Sequence, residues 1–128
     1  MNPHSAASAY KEALFENAPP LKIVHMLYEG AIRFLAQAEQ VDPIKEPATF
    51  AENLRRADRI VAELRLSLDH DQAPELCSDL NALYIFAEKL IQDALLNRTT
   101  EPLAEATEIL NTLLEGWKSI QMSERLAS

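Results

Sequence analysis

Histidine, cysteine and clustered acidic residues are the side chains of this sequence that could carry out chemistry. The three histidines, His4, His25 and His70, lie far apart, and none follows a glutamate by three residues. The Glu-x-x-His pairs that hold di-iron centres in helical bundles are therefore absent. Asp69, His70 and Asp71 form a polar cluster, but one histidine between two aspartates is a weak metal signal that a turn explains better. The sequence predicts no metal site and no cofactor.

His25 lies inside a predicted helix, which raises the alternative of a histidine phosphotransfer bundle. Such a relay needs an exposed histidine, whereas His25 stands in the apolar run IVHMLYEG, so we predict a packed or surface histidine without that role. Cys77 has no second cysteine and no base beside it, and it is predicted to be a small core residue. Only two glycines occur, so there is no glycine-rich phosphate loop. We predict that the chain is not an enzyme.

Four arginines are crowded into the second predicted helix: Arg55, Arg56, Arg59 and Arg65. Acidic partners accompany them, because Glu52 precedes Arg56 by four residues and Glu63 follows Arg59 by four, a spacing at which helical side chains pair. The pattern predicts a solvated, ion-paired face. The formal net charge of −8 also disfavours a nucleic acid or an anionic membrane as the main partner.

Length and composition indicate one domain in a reducing compartment. The chain has 128 residues and one cysteine, so no disulfide can form within it. The N-terminus lacks the basic start and apolar run of a signal peptide, and no later run is apolar for long enough to cross a bilayer. We expect a cytoplasmic protein.

Seven prolines divide the chain into stretches rich in alanine, leucine, glutamate and arginine. Proline breaks helix interiors but suits loops and first turns, so the pattern predicts four helices with short connections. Their expected bounds are Ala18–Gln40, Thr49–Leu68, Pro74–Leu96 and Glu101–Gln121. A capping box of Thr49 and Glu52 is expected to start the second helix and Thr100 to cap the fourth. We predict a four-helix bundle over residues 18–128, preceded by a flexible arm over residues 1–17.

Apolar residues recur at steps of three and four in each predicted helix, as in a bundle. The expected core stripe of the second helix is Phe50, Leu54, Ala57, Val61, Leu64 and Leu68. The expected stripe of the third is Leu76, Leu80, Leu83, Ala87, Leu90 and Ala94. The first and third helices carry further apolar residues beyond one stripe. That surplus is either buried on most sides of the bundle or exposed to a partner, and periodicity favours neither.

Gly30 stands in the middle of the apolar stretch MLYEGAIRF. A glycine inside a helix costs about 1 kcal/mol relative to alanine, because it adds backbone freedom and buries no side chain. Its presence is explained if another helix approaches the backbone closely there. That helix could belong to the bundle, which we favour, or to a bound partner.

Several short motifs, taken together and in this order, resemble the FliS family of flagellin-specific export chaperones. The motifs are Ala9-Tyr10, the proline before Leu21, VHMLYEGAIRFLAQA, LRRADRIVAELRLSLD, LNALY and LLEGWK, and they span the chain from about Tyr10 to Trp117. The resemblance implies an antiparallel four-helix bundle. It also implies a chaperone that binds the disordered C-terminal segment of flagellin, prevents premature polymerisation and docks at the export gate of the flagellar type III apparatus.

The resemblance and the apolar surplus together suggest which residues meet a partner. The arm residue Tyr10 is expected to contact the export gate. The set of candidate partner-binding residues is Tyr10, Ile23, Met26, Leu27, Gly30, Phe34, Tyr84 and Ile91. The alternative function is a non-enzymatic helical adaptor that binds a folded regulatory protein. The sequence leaves the oligomeric state open.

Overall fold

A computed structural model describes residues 21–68, 71 and 74–127 of the chain. These residues form four helices joined by short loops, as predicted. The helices are α1 (Leu21–Glu39), α2 (Pro47–Leu66), α3 (Pro74–Asn97) and α4 (Leu103–Ala127).

The four helices pack as a bundle in which each helix contacts its neighbours in the sequence. Helix α1 packs against α2 and α4, and α3 packs against the same two helices from the other side. Short connections reverse the chain direction each time, so the bundle is antiparallel. Helices α1 and α3 therefore occupy opposite corners. Among the described helices, none combines the length and the apolar character needed to span a bilayer.

The predicted caps of two helices are wrong. Helix α2 begins at Pro47, two residues before Thr49, and its N-cap residue Glu46 makes no side-chain capping bond. Proline is favoured there because it lacks an N–H, and the first backbone N–H groups of a helix have no partner within the helix. Helix α4 begins after Pro102, and it is the Thr99 hydroxyl, not that of Thr100, that accepts the backbone N–H of Glu101.

The end of α3 is closed by a residue in the left-handed conformation. Arg98 has φ 50°, and the N–H of Thr99 donates to the carbonyl of Ala94 at 3.1 Å. This is the long bond of a Schellman motif, in which glycine is the usual residue at the left-handed position. Arginine there is less favourable by about 1–2 kcal/mol, because its Cβ crowds the following carbonyl.

The core is built from one stripe on each helix. All six stripe residues predicted for α2 are buried, as expected. The stripe predicted for α3 is only half right: Leu80, Ala87 and Ala94 are buried, while Leu76, Leu83 and Leu90 are half-buried. The core positions between them belong to Cys77, Tyr84 and Ile91. Helix α3 has apolar residues on several faces. Contact with α2 and α4 therefore decides which of these faces points into the core.

Candidate partner-binding surface

Helix α1 exposes two of the candidate residues to solvent. Ile23 is 42% exposed and Met26 is 60% exposed, although Val24 and Tyr28 of the same helix are buried in the core. An apolar side chain that stays exposed on the outer face of a bundle contributes little burial to the stability of the fold. These two residues form the outer edge of a continuous apolar strip on α1.

The inner edge of this strip lies along the seam between α1 and α2. Leu27 and Phe34 are half-buried against the core, together with Ile60 of α2. Gly30 is buried between them, and a Cβ atom added to it would lie 3.5 Å from the Ile60 Cδ1 atom, an ordinary van der Waals distance. The neighbour of Gly30 is thus a side chain of the bundle, and because a Cβ would fit beside it, the close approach of another helix that we predicted to explain this glycine is not seen.

Two guanidinium groups cover the Phe34 ring at the end of the strip. The Arg33 Cζ atom lies 5.7 Å from the ring centroid and the Arg56 Cζ atom lies 5.6 Å from it. Cations at this distance are attracted by the ring quadrupole, at about 0.5–1 kcal/mol each for exposed pairs. Arg56 also pairs with Glu52 at 2.8 Å, as the sequence predicts. The α1 strip therefore ends at two charged guanidinium groups, one of which is held by an ion pair.

Helix α3 places its candidate residues differently. Tyr84 and Ile91 are buried in the core, so in this conformation they offer no surface to a partner, and their role in binding stays a prediction. The adjacent Ile85 and Phe86 are 49% and 42% exposed. They were not among the candidates, although their place in the apolar surplus of the third helix was a signal. Because α1 and α3 occupy opposite corners, the candidates do not form one patch.

A groove of about 310 Å³ runs between α3 and α4. Leu83 lines one wall and Ile109 and Leu113 line the other, while Glu105 and Glu108 stand at the rim. The three apolar residues are half-buried, which leaves apolar surface accessible within the groove. It could hold a row of apolar side chains from another helix.

A hydrogen-bonded network of aromatic residues connects three helices inside the core. The hydroxyl groups of Tyr28 on α1 and Tyr84 on α3 are hydrogen-bonded, and the Trp117 indole on α4 donates to the Tyr28 oxygen. Both tyrosines are completely buried. Burial raises the pKa of Tyr28 to about 12, and the two hydrogen bonds only partly oppose that shift. The network explains why Tyr84 faces inward.

His25 is packed and does not meet the requirement for a phosphotransfer histidine. It is 8% exposed, and its Nε2 atom is buried without a hydrogen-bond partner in the described part of the chain. Burial lowers the pKa of His25, Glu29 opposes this shift, and Lys118 adds to it. Cys77 is completely buried, as predicted for a core residue.

The arginines of α2 do not form one uniform ion-paired face. Within the described residues, the predicted pair of Arg59 and Glu63 is not formed. Arg65 faces α3 instead, where its Nε atom donates to Glu88 at 2.6 Å and its Nη2 atom donates at 3.3 Å. Glu88 is a buried carboxylate, and the bidentate contact satisfies both its oxygens.

Asp58 lies beside this ion pair. Its Oδ1 atom is buried without a hydrogen-bond partner in the described residues. Burial and the nearby Glu88 charge raise the pKa of Asp58, while a hydrogen bond from Gln92 and the Arg65 charge oppose the shift. The α2–α3 interface thus holds two carboxylates, Asp58 and Glu88, beside the single half-buried guanidinium group of Arg65.

Four residues considered in the sequence analysis for chemistry or binding lie outside the described residues: His4, Tyr10, Asp69 and His70. The predicted contact of Tyr10 with the export machinery and the predicted arm over residues 1–17 stay predictions. Within the described residues, no group of three or more histidine, cysteine, aspartate or glutamate side chains is arranged to hold a metal ion.

Comparison with known proteins gives one consistent family. The family described as "Flagellar protein FliS" matches residues 2–124. A flagellar secretion chaperone FliS of Campylobacter jejuni is 28% identical, with 99% of each chain covered. The chaperone of the same name from Bacillus subtilis is 28% identical over 97% of this chain and 90% of its own. That of Salmonella typhimurium is 27% identical over 91% and 90%.

Proposed function

The chain belongs to the FliS family, and on that basis we propose that it is a flagellar export chaperone. Its proposed client is the disordered C-terminal segment of flagellin. Binding would prevent that segment from polymerising in the bacterial cytosol and would deliver it to the flagellar type III export apparatus. The names of the relatives, all flagellar secretion chaperones, support this role.

The observation that carries the proposal is the apolar surface left on a bundle whose core is already complete. The exposed large apolar residues on α1 are Ile23 and Met26, and those on α3 are Ile85, Phe86 and Leu96. Each is more than two-fifths exposed, and exposed apolar clusters on a monomer typically mark a binding surface. A second chain that covers them would remove this surface from water.

A disordered client suits this arrangement better than a compact one. Such a segment can fold into amphipathic helices as it binds, and its apolar face can occupy grooves between helices. The folding of the client opposes binding, so the buried area must be large. Because the α1 strip and the exposed residues of α3 lie at opposite corners, only an extended client could cover both. The half-buried walls of the α3–α4 groove would add to the contact.

The N-terminal arm would serve the later step of delivery. Tyr10 combines an apolar ring with a polar tip, so it tolerates both buried and exposed surroundings. We propose that the arm contributes this residue to a contact with the export gate. That role rests on the family resemblance and is independent of how α1 and α3 hold the client.

Calorimetric titration with a peptide of the C-terminal flagellin segment tests the proposed function. We expect stoichiometric binding with a negative heat-capacity change, since burial of roughly 1,000–3,000 Å² accompanies coupled folding and binding. Affinity should change little with added salt, because apolar burial dominates. A matching peptide with its apolar positions changed to serine is the control. If no flagellin from the source organism binds, the proposed client is wrong.

A further inference from the structure

A second apolar pocket lies at one end of the bundle, between α2 and α3. It has a volume of about 560 Å³ and is lined by the α1–α2 loop, the start of α2 and the end of α3. Phe50 is its buried apolar floor, while Leu96 is 81% exposed at its edge. This volume lies in the range of pockets that bind ligands, so it can accommodate more than one apolar side chain.

Two arginines stand at this pocket without an ion-pair partner. Arg55 comes from α2 and Arg98 follows α3, and neither contacts a carboxylate in the described part of the chain. Both are exposed. The chain has a net charge of −8, so two exposed guanidinium groups beside an apolar pocket form a local positive region on an acidic protein.

The backbone at Arg98 is a separate reason to look for a function there. The residue is in the left-handed region, where glycine would fold more easily, and the Schellman bond to Ala94 holds it there. A non-glycine residue in such a position is a reason to test whether its side chain has a role. The guanidinium group at the pocket is the part of Arg98 that glycine could not supply.

Positive charge continues from the pocket along α2. Glu52, Arg55, Arg56 and Arg59 follow one another at helical spacing and line a shallow surface depression that shares Arg55 with the pocket. Among these arginines, and counting partners within the described ranges alone, only Arg56 forms an ion pair, with Glu52. The apolar pocket is therefore continuous with a row of basic side chains.

We propose that this pocket and the adjacent arginine row bind an acidic, amphipathic segment of a second protein. Apolar side chains of the segment would enter the pocket, while its carboxylates would accept hydrogen bonds from Arg55 and Arg98. A basic segment would be repelled, and a purely apolar one would cover the guanidinium groups without pairing them. Arginine favours this contact because its planar group can bind a carboxylate with two parallel hydrogen bonds.

This site goes beyond the proposed function and differs from it physically. Binding of the flagellin segment is expected to depend on apolar burial and to change little with salt. Binding of an acidic segment depends on charge and should weaken as salt screens the arginines. The two sites can therefore be measured separately on the same protein.

The test uses the full chain and a designed peptide. The peptide is helical, with leucine at positions i, i+3, i+4 and i+7 and glutamate between them, and its counterpart has lysine in place of glutamate. Fluorescence anisotropy should show binding of the acidic peptide alone. Its affinity should fall several-fold between about 50 and about 300 mM salt. Equal binding of the basic peptide, or no binding of the acidic one, would overturn the proposal.

Charge variants then locate the site. The Arg55→Glu, Arg98→Glu double variant should bind the acidic peptide about tenfold more weakly. Lys118→Glu is the control, because it changes the charge in the same direction on α4. The main neighbours of α4 are α1 and α3, so this change lies away from the pocket and should leave affinity unchanged. Arg98→Gly removes the guanidinium but favours the left-handed backbone, so affinity should fall while stability rises. Unchanged affinity in Arg98→Gly would contradict the role of Arg98.

Two further outcomes would identify a different occupant. If Arg55→Glu reduced self-association in sedimentation experiments, the pocket would be an interface between copies of this chain, and the proposal would be wrong. If the double variant weakened the flagellin peptide by the same factor, the pocket would belong to the client site. Failure of flagellin to bind, with acidic-peptide binding retained, would overturn only the proposed function.

Discussion

At the scale of single residues, the buried tyrosine pair is the feature that most constrains the core. Tyr28 accepts a hydrogen bond from Trp117 and shares another with Tyr84, so one hydroxyl group links α1 to two other helices. A buried polar group contributes little net stability when satisfied but costs about 1–3 kcal/mol when its partner is removed. Tyr28 is therefore the residue of the network whose hydroxyl matters most.

Tyr28→Phe should destabilise the protein by about 1–3 kcal/mol, because it leaves both the Trp117 N–H and the Tyr84 hydroxyl without this partner. Tyr84→Phe should cost less, since the Trp117 bond to Tyr28 remains. Urea unfolding monitored by circular dichroism measures both values. A greater loss in Tyr84→Phe than in Tyr28→Phe would show that the network is arranged differently.

Tyr28→Phe should also reduce the loss of folding stability at alkaline pH. The folded pKa of Tyr28 is about 12 and its ordinary value is 10.0, so above pH 10 the unfolded chain loses this proton first. The contribution of Tyr28 to stability is fully present below pH 10 and is lost as pH rises through about 12, a change on the order of 2–3 kcal/mol. Tyr28→Phe should show a smaller decrease over this range than the unmodified protein.

Gly30→Ala should stabilise the protein by about 1 kcal/mol, because alanine is the better helix former and its Cβ would meet Ile60 Cδ1 at an ordinary 3.5 Å. Ala36→Gly, at an exposed position of the same helix, is the matched control and should lose a similar amount. Gly30→Leu would require Ile60 to move and should lose much of this gain. Thermal unfolding gives the stabilities. If alanine destabilised the chain, the space beside Gly30 would be tighter than these contacts indicate.

At the scale of helices, the α2–α3 interface depends on an ion pair between a buried carboxylate and a half-buried guanidinium group. Glu88 is buried, Arg65 is its bidentate partner, and Asp58 adds a second carboxylate nearby. Removal of one partner leaves a charge without compensation, whereas replacement of both by apolar residues is often neutral. This interface is therefore sensitive to which partner is changed.

Arg65→Met should destabilise the protein by roughly 2–4 kcal/mol. The change leaves Glu88 buried without its partner and removes the positive charge near Asp58. The double variant Arg65→Met, Glu88→Leu should recover most of this loss. Arg59→Met, an exposed arginine with no ion pair in the described part of the chain, is the control and should change stability little. Denaturant unfolding of the unmodified protein, Arg65→Met, Glu88→Leu and the double variant gives the coupling energy, and strict additivity of the two single changes would contradict the role of the pair.

At the scale of the whole molecule, the exposed apolar residues of α1 and of α3 lie at opposite corners of the bundle. Met26 lies on α1 and Phe86 on α3, and these two helices have α2 and α4 as their main neighbours. A client that covers both residues must extend around the bundle. Distant contacts of this kind should contribute independently to affinity.

Met26→Glu and Phe86→Glu should each weaken binding of the flagellin peptide by about tenfold, because a charge at an apolar contact must be desolvated. Together they should weaken it by about the product of the two factors. Asn111→Glu, an exposed position on α4, adds the same charge and is the control. Calorimetry at one temperature measures all four. If only one variant has an effect, the client covers one corner and not both.

The sequence by itself determined the four helices and much of the α2 core. Proline at helix starts and in loops, with apolar residues at steps of three and four, is a local signal that needs no knowledge of neighbours. It correctly placed the α2 stripe and Cys77 in the core. It failed at the cap of α2, because Pro47 can begin a helix as well as a capping box can.

Only the tertiary structure decided which apolar residues of α1 and α3 face inward. Tyr84 and Ile91 are buried while Ile85 and Phe86 are exposed, although all four are apolar or aromatic residues of the same helix. Periodicity defines the faces of a helix. When several faces are apolar, the helices that pack against it decide which face points into the core. The Tyr28–Tyr84 bond joins residues 56 positions apart, so no local pattern could have indicated it.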